Sequence, residues 1–256
     1  MTMRYLTQTI QVVKVFFGSP MLKKSILFLL ICAPAVATAH AVPDSLEQRL
    51  KPCTSCHGKD GRAASDGYYP RIAGKPEGYL FNQLKNFREG KRTYPLMTYI
   101  VANMSDDYLH EIAQYFSQLH PPYAAPQAAQ IAPAILERGR MLVQQGAPAQ
   151  KIPACIACHG EKMTGVAPYI PGLLGLPRDY IVAQLGAWQT ASRHAYAPDC
   201  MQQIARKLRP QDIYAISAWL AAQNMPVNPL ASDAKDIPNF KLPLSCGSVP
   251  QSLAKP

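Results

Sequence analysis

Cys53-Thr54-Ser55-Cys56-His57 and Cys155-Ile156-Ala157-Cys158-His159 repeat one pattern: two thiols separated by two residues, then an imidazole directly after. That spacing matches one chemistry closely. The two thiols add across the vinyl groups of a single haem, and the adjacent histidine reaches the iron as proximal ligand. A bare C-x-x-C could also be a thioredoxin-like redox pair, and two such pairs could hold zinc. Neither alternative uses the histidine that follows each pair. The pattern predicts two covalently bound haem c groups, attached through Cys53, Cys56, Cys155 and Cys158, with His57 and His159 on the irons.

The residues around the motifs repeat as well. Pro70, Gly74, Pro76, Tyr79, Gln83, Leu84 and Arg92 recur as Pro171, Gly175, Pro177, Tyr180, Gln184, Leu185 and Arg193, always 101 residues later. Ile112–Phe116 matches Ile216–Leu220 at an offset of 104. A sustained register of this kind marks an internal duplication. The expected organisation is a haem domain at 42–120, a Pro/Ala-rich linker at 121–133, a second haem domain at 134–225, and a tail at 226–256. Four prolines make the linker semi-stiff and extended.

The fold class expected is all-α, two tandem domains that each wrap helices around a haem. Helices are predicted from Asp44 to Leu50, from Pro76 to Arg88 and, capped by Ser105, over Asp106 to Phe116 in copy one. The counterparts in copy two are Glu137 to Gln145, Pro177 to Thr190 and Pro210 to Ala222. No run alternates with period two, so strands are not expected.

What fills the sixth iron position separates carriers from catalysts. The candidates in copy one are Met97, Met104, His110 and His120. Met97 stands eight residues before the cap Ser105, in what reads as a loop between helices. Met201 stands eight residues before Arg209, the position that matches Ser105. The duplication thus singles out Met97 and Met201 as the axial ligands. His194 also lies near the second site, but its counterpart is Thr93. Met163 follows His159 too closely to reach the opposite face of the ring. Met141 and Met225 read as packing residues. Imidazole on one side and thioether on the other favour Fe(II) and close the iron to oxygen and peroxide. The carbonyls of Pro70 and Pro171 are candidates to orient the proximal imidazoles; an ordinary turn before the next helix is equally compatible.

The N-terminus fits attachment of haem outside the cytoplasm. Residues 1–41 hold four basic residues and no acidic one, an apolar run from Ile26 to Val36, and a small-residue site ending at Ala41. This reads as a secretory signal peptide, whose true start could be Met21, and it predicts a periplasmic protein. About 11 apolar residues are too few for a membrane span. Cys32 invites a lipoprotein reading, which bulky Ile31 disfavours. Without residues 1–41 the formal charge falls from +10 to +6. Four haem propionates would offset most of it, so the basic balance argues for steering towards acidic protein surfaces and not for nucleic acid.

Taken together, these residues resemble the cytochrome c4 family of dihaem proteins. The resemblance rests on Cys-x-x-Cys-His-Gly at both sites, Lys59-Asp60-Gly61, Tyr69-Pro70-Arg71-Ile72-Ala73-Gly74, Tyr79-Leu80 with Gln83-Leu84, and Met97 ahead of Ala102-Asn103-Met104-Ser105. It spans about residues 44–225. It implies that both domains are cytochrome c-like, with haems facing each other across a domain interface, and electron transfer between redox protein partners: an oxidase, a quinol oxidase complex or a dehydrogenase. A dihaem subunit of a dehydrogenase complex is the alternative, and a dihaem peroxidase a more distant one. Copy two departs from the pattern at Glu161–Gly165 and Arg209-Pro210, and the tail exceeds it. Cys200 and Cys246 are left over, and in an oxidising compartment they are expected to pair, strapping the tail over the second distal segment.

Overall fold

Each haem motif ends on a helix that a glycine stops directly after the histidine: all of the first motif is helical, and in the second Cys155 is the N-cap. The computed structural model describes residues 44–63, 68–126, 130–250 and 252; the expected leader lies outside them. In copy one, α1 spans Leu46–Arg49, α2 Lys51–His57, α3 Glu77–Arg88, α4 Pro95–Val101 and α5 Asp106–Ser117. In copy two, α6 spans Pro133–Gln145, α7 Ile156–His159, α8 Arg178–Gln189, α9 Cys200–Ala205 and α10 Pro210–Ala221. Gly58 (φ 74°) ends α2 and Gly160 (φ 81°) ends α7 in the left-handed half of backbone space, where glycine alone costs little.

The two copies have separate apolar cores. Leu50, Leu80, Phe87, Leu109, Ile112 and Phe116 are buried together in the first, and Leu142, Ile181, Leu185, Ile213, Ile216 and Leu220 in the second. These are the same helix faces that the periodicity marks. Ser45 and Ser105 cap α1 and α5, each hydroxyl accepting from a backbone N–H three residues on. In copy two, α6 and α10 cross so closely at Gly139 that a Cβ there would collide with the Ala215 carbonyl. Beside this crossing, Asp212 is buried and accepts from Arg138 Nε and Arg209 Nε, both at 2.9 Å. Copy one has no equivalent, because Tyr108 occupies the matching position.

The described residues from Ser45 onward nevertheless form one compact unit, and the first linker residues, Pro121 to Tyr123, pack against it. Arg71 of copy one donates to the Pro122 carbonyl at 3.0 Å and stacks on Tyr123, 3.8 Å from the ring centre.

Four expectations need correction. The helix predicted from Glu137 begins a turn earlier, with the last linker proline, Pro133, in its first turn, where its missing N–H costs nothing. Met97 sits on α4 and Met201 on α9, not in loops. Met141 is 40% exposed on α6, so it is not a core residue. A small sheet also exists: β1, Gly165–Ala167, pairs antiparallel with β2, Ile170–Pro171, and parallel with β3, Ser232–Asp233, from the tail. The tail adds a third apolar cluster, in which Leu242 and Cys246 pack on Val166 and Ile170. Among the described residues, no helix is long and apolar enough to cross a membrane.

Candidate haem sites

One continuous cavity of about 720 Å³ runs between the two copies. Its wall includes Cys53, Cys56, His57 and Met97 from copy one, and Cys155, Cys158, His159 and Met201 from copy two. All eight residues singled out by spacing therefore face the same space. The rival ligands do not line it. Met104 packs against the first core, and His110 pairs with Glu77 at 2.9 Å on the surface. His194 Nδ1 lies 2.9 Å from Gln202 Nε2, and Met163 is buried in the second core.

The proximal imidazoles are oriented as the sequence allowed. His57 Nδ1 is 2.8 Å from the Pro70 carbonyl, and His159 Nδ1 is 2.7 Å from that of Pro171. Burial lowers the pKa of both imidazoles, partly opposed by those carbonyls, and so favours the neutral form that binds iron through Nε2. Burial acts oppositely on the thiols: Cys155 is pushed up to about 12 and Cys158 to about 11. Such thiols resist ionisation, which a reactive redox pair requires. Among the described residues, no cluster of three or more His, Cys, Asp or Glu side chains forms.

Polar groups at the cavity also fit a haem. Arg92 and Arg193 form a pseudo-symmetric pair. Arg92 donates to Gln83 (3.0 Å) and Gln184 (2.7 Å), and Arg193 to Gln184 (2.6 Å) and Gln83 (2.9 Å). The backbone follows suit, with Arg92 and Arg193 bridged and Thr93 N–H donating to the Ser192 carbonyl at 2.8 Å. The hydrogen-bond acceptors of both guanidiniums are neutral, and among the described residues the buried Trp188 Nε1 has no hydrogen-bond partner. Anionic propionates at the cavity would supply the negative charge that the two guanidiniums lack among these partners. Sequence reasoning found Arg92 and Arg193 as repeat positions, but not as an interface. Their signal was the matched register itself.

A helical fold built of two Cys-x-x-Cys-His units around apolar clefts defines the class: a dihaem c-type cytochrome with two class I-like domains. A family profile described as cytochrome c matches residues 136–224. Cytochrome c4 of Pseudomonas aeruginosa is 32% identical over 78% of this chain and 98% of that protein. A thiosulfate dehydrogenase electron acceptor of Thiomonas intermedia is 36% identical over 70% of this chain and 81% of that protein. The solved structure of reduced cytochrome c4 from Pseudomonas stutzeri superposes with a TM-score of 0.60 at 28% identity, covering 70% of this chain and 96% of that one.

The chain belongs to the cytochrome c4 family. It is an electron-transfer cytochrome with two covalently bound haem c groups, an electron carrier and not an enzyme, and it works with redox protein partners.

Proposed function

We propose that this protein is an exported, periplasmic carrier of single electrons between a respiratory donor and a terminal oxidase or other acceptor. In this reading residues 1–41 are a signal peptide, 42–120 and 134–225 the two haem domains, 121–133 the linker, and 226–256 a tail. Cys53 and Cys56 hold one haem, and Cys155 and Cys158 the other. His57 with Met97 and His159 with Met201 are the axial pairs. Bound haem supplies a reversible one-electron iron couple. The chain's own residues do the rest. The Pro70 and Pro171 carbonyls orient the imidazoles, the apolar walls would exclude water, and α4 and α9 bring Met97 and Met201 to the same cavity, where their thioethers would hold the irons. The single observation that supports the reading most is that both motifs and both methionines line one cavity. That arrangement would let an electron pass between haems without crossing solvent.

The test is to replace Met97 and Met201 singly with alanine and record the near-infrared thioether-to-iron band of the oxidised protein. Each substitution is expected to remove half of the band and to lower one midpoint potential. Retention of the full band in both variants would refute the ligand assignment.

A second reading, the electron-accepting cytochrome of a dehydrogenase complex, is favoured by the relative at 36% identity, which is named a thiosulfate dehydrogenase electron acceptor. Stopped-flow reduction by a thiosulfate dehydrogenase with thiosulfate, set against reduction by a quinol-oxidising complex, distinguishes the two.

A further inference from the structure

Lys75 breaks the internal duplication. Its counterpart in copy two is Leu176, and Arg71, four residues earlier, corresponds to Gly172. Both members of the Lys75/Leu176 pair line the cavity, yet only one carries charge. Lys75 is 5% exposed. Its Nζ leaves copy one and donates to the Gly172 carbonyl of copy two at 3.1 Å. Gly172 directly follows Pro171, whose carbonyl lies 2.7 Å from His159 Nδ1. A cation from the first domain is thus seated behind the proximal histidine of the second. Among the described residues, copy two sends no reciprocal cation to the first haem motif, since the alkyl side chain of Leu176 stands there; the cation that acts on His57 is Arg92 of its own copy.

Burial of an ammonium is costly, and a charged side chain this enclosed is expected to have a purpose or a partner. The recorded hydrogen-bond acceptor is a neutral carbonyl. Two effects of this placement act with the same sign. Ferric haem carries one more positive charge than ferrous haem, and a fixed cation in a weakly screened site opposes that charge. The field of the same cation also acts on the neighbouring Pro171 carbonyl that accepts from His159 and weakens it as an acceptor, so the imidazole pushes less strongly onto the iron. Both effects favour Fe(II).

We propose that Lys75 is a positioning and tuning residue that acts across the domain interface, raising the reduction potential of the haem attached at Cys155 and Cys158 relative to the other. The duplicated chain thereby acquires an internal direction: an electron arriving on the first haem moves downhill to the second. The proposal rests on the assignment of His159 as a haem ligand.

The test compares Lys75→Gln, which keeps a donor for Gly172 but loses the charge, with Lys75→Arg, which keeps the charge. Both are made in the full-length holoprotein. The two midpoints are measured by spectroelectrochemical titration, and the second haem is identified as the one whose midpoint moves in Met201→His. For Lys75→Gln, the Fe(III)/Fe(II) ratio of the second haem at fixed potential is expected to rise about ten-fold, equivalent to ~59 mV for a one-electron couple. The first haem should move less than half as far, and Lys75→Arg should stay near the parent. An unmoved second haem in Lys75→Gln, or equal shifts in Gln and Arg variants, overturns the proposal. The near-infrared band is recorded on the same samples. Its absence from the parent would refute the methionine assignment separately, leaving the Lys75 effect to be read from the midpoints.

Discussion

The distal helices α4 and α9 carry a methionine at matching positions but are held in place by different means. In copy one, α4 begins with Pro95 and has no side-chain cap; Leu96 and Tyr99 are exposed on its surface, Tyr99 to 82%. In copy two, Asp199 caps α9, accepting from the N–H groups of Gln202 (3.0 Å) and Ala195 (2.7 Å). The next residue, Cys200, is disulfide-bonded to Cys246 of the tail. The tail also reaches copy one, where Asn82 Nδ2 donates to the Ser248 carbonyl at 3.0 Å. The difference shows what the duplication held constant. Thiols, imidazoles, thioethers and carbonyl acceptors occur in both halves, while the scaffolding behind the thioether diverged. Copy two has a covalent strap, a buried carboxylate clamp and a close helix crossing where copy one has simple caps and exposed ion pairs, such as Arg88 with Asp106.

That asymmetry predicts unequal responses to substitution. The largest is expected from replacing Cys200 and Cys246 together with serine. Opening a loop of 46 residues should cost about 4 kcal/mol on the chain-entropy account, measured by denaturant unfolding. The near-infrared band of the second haem should weaken while that of the first persists; equal loss at both would break the contrast.

Asp212→Asn comes next. It removes the charge and the Oδ2 that accepts from Arg209 while keeping one acceptor oxygen, and with both guanidiniums partly exposed it is expected to cost about 2 kcal/mol. Although burial pushes the Asp212 carboxyl up, Arg209 and Arg138 outweigh it and hold the pKa below its ordinary value. The carboxylate therefore contributes fully above the ordinary range, and the contribution is lost as pH falls through the lowered value. Acid titration of stability should show that loss in the parent and not in the asparagine variant.

Gly139→Ala should destabilise copy two by about 2 kcal/mol, because α6 must move off the Ala215 carbonyl. The smallest effect belongs to copy one: Ser105→Ala removes the α5 cap and should cost about 1 kcal/mol. Arg209, at the matching place in copy two, makes no such cap.

Much of the site was legible because haem attachment demands fixed local spacing. The thiols, the histidines and the Pro70 and Pro171 carbonyls all lie within 17 residues of one another in each copy. The methionines were legible only through the repeat, since one Met in a short segment carries no pattern of its own. Their helices were not. Residues 95–101 and 200–205 are too short for a helical period to be seen, and α4 has no capping side chain. The sheet was hidden for a different reason: each strand has two or three residues, and β3 pairs with β1 across more than 60 positions. Met141 was misread because it directly precedes Leu142 and Val143, which are buried on the same helix. Lys75 had a signal, the lost match with Leu176, but only its reach to Gly172 gave that mismatch a meaning.

The central claim is that both irons are closed, by imidazole on one face and thioether on the other. Carbon monoxide added to the fully reduced, untreated protein at neutral pH tests it most directly. The account predicts that the visible spectrum stays that of two six-coordinate ferrous haems. Rapid formation of a carbon monoxide adduct at either haem would contradict it.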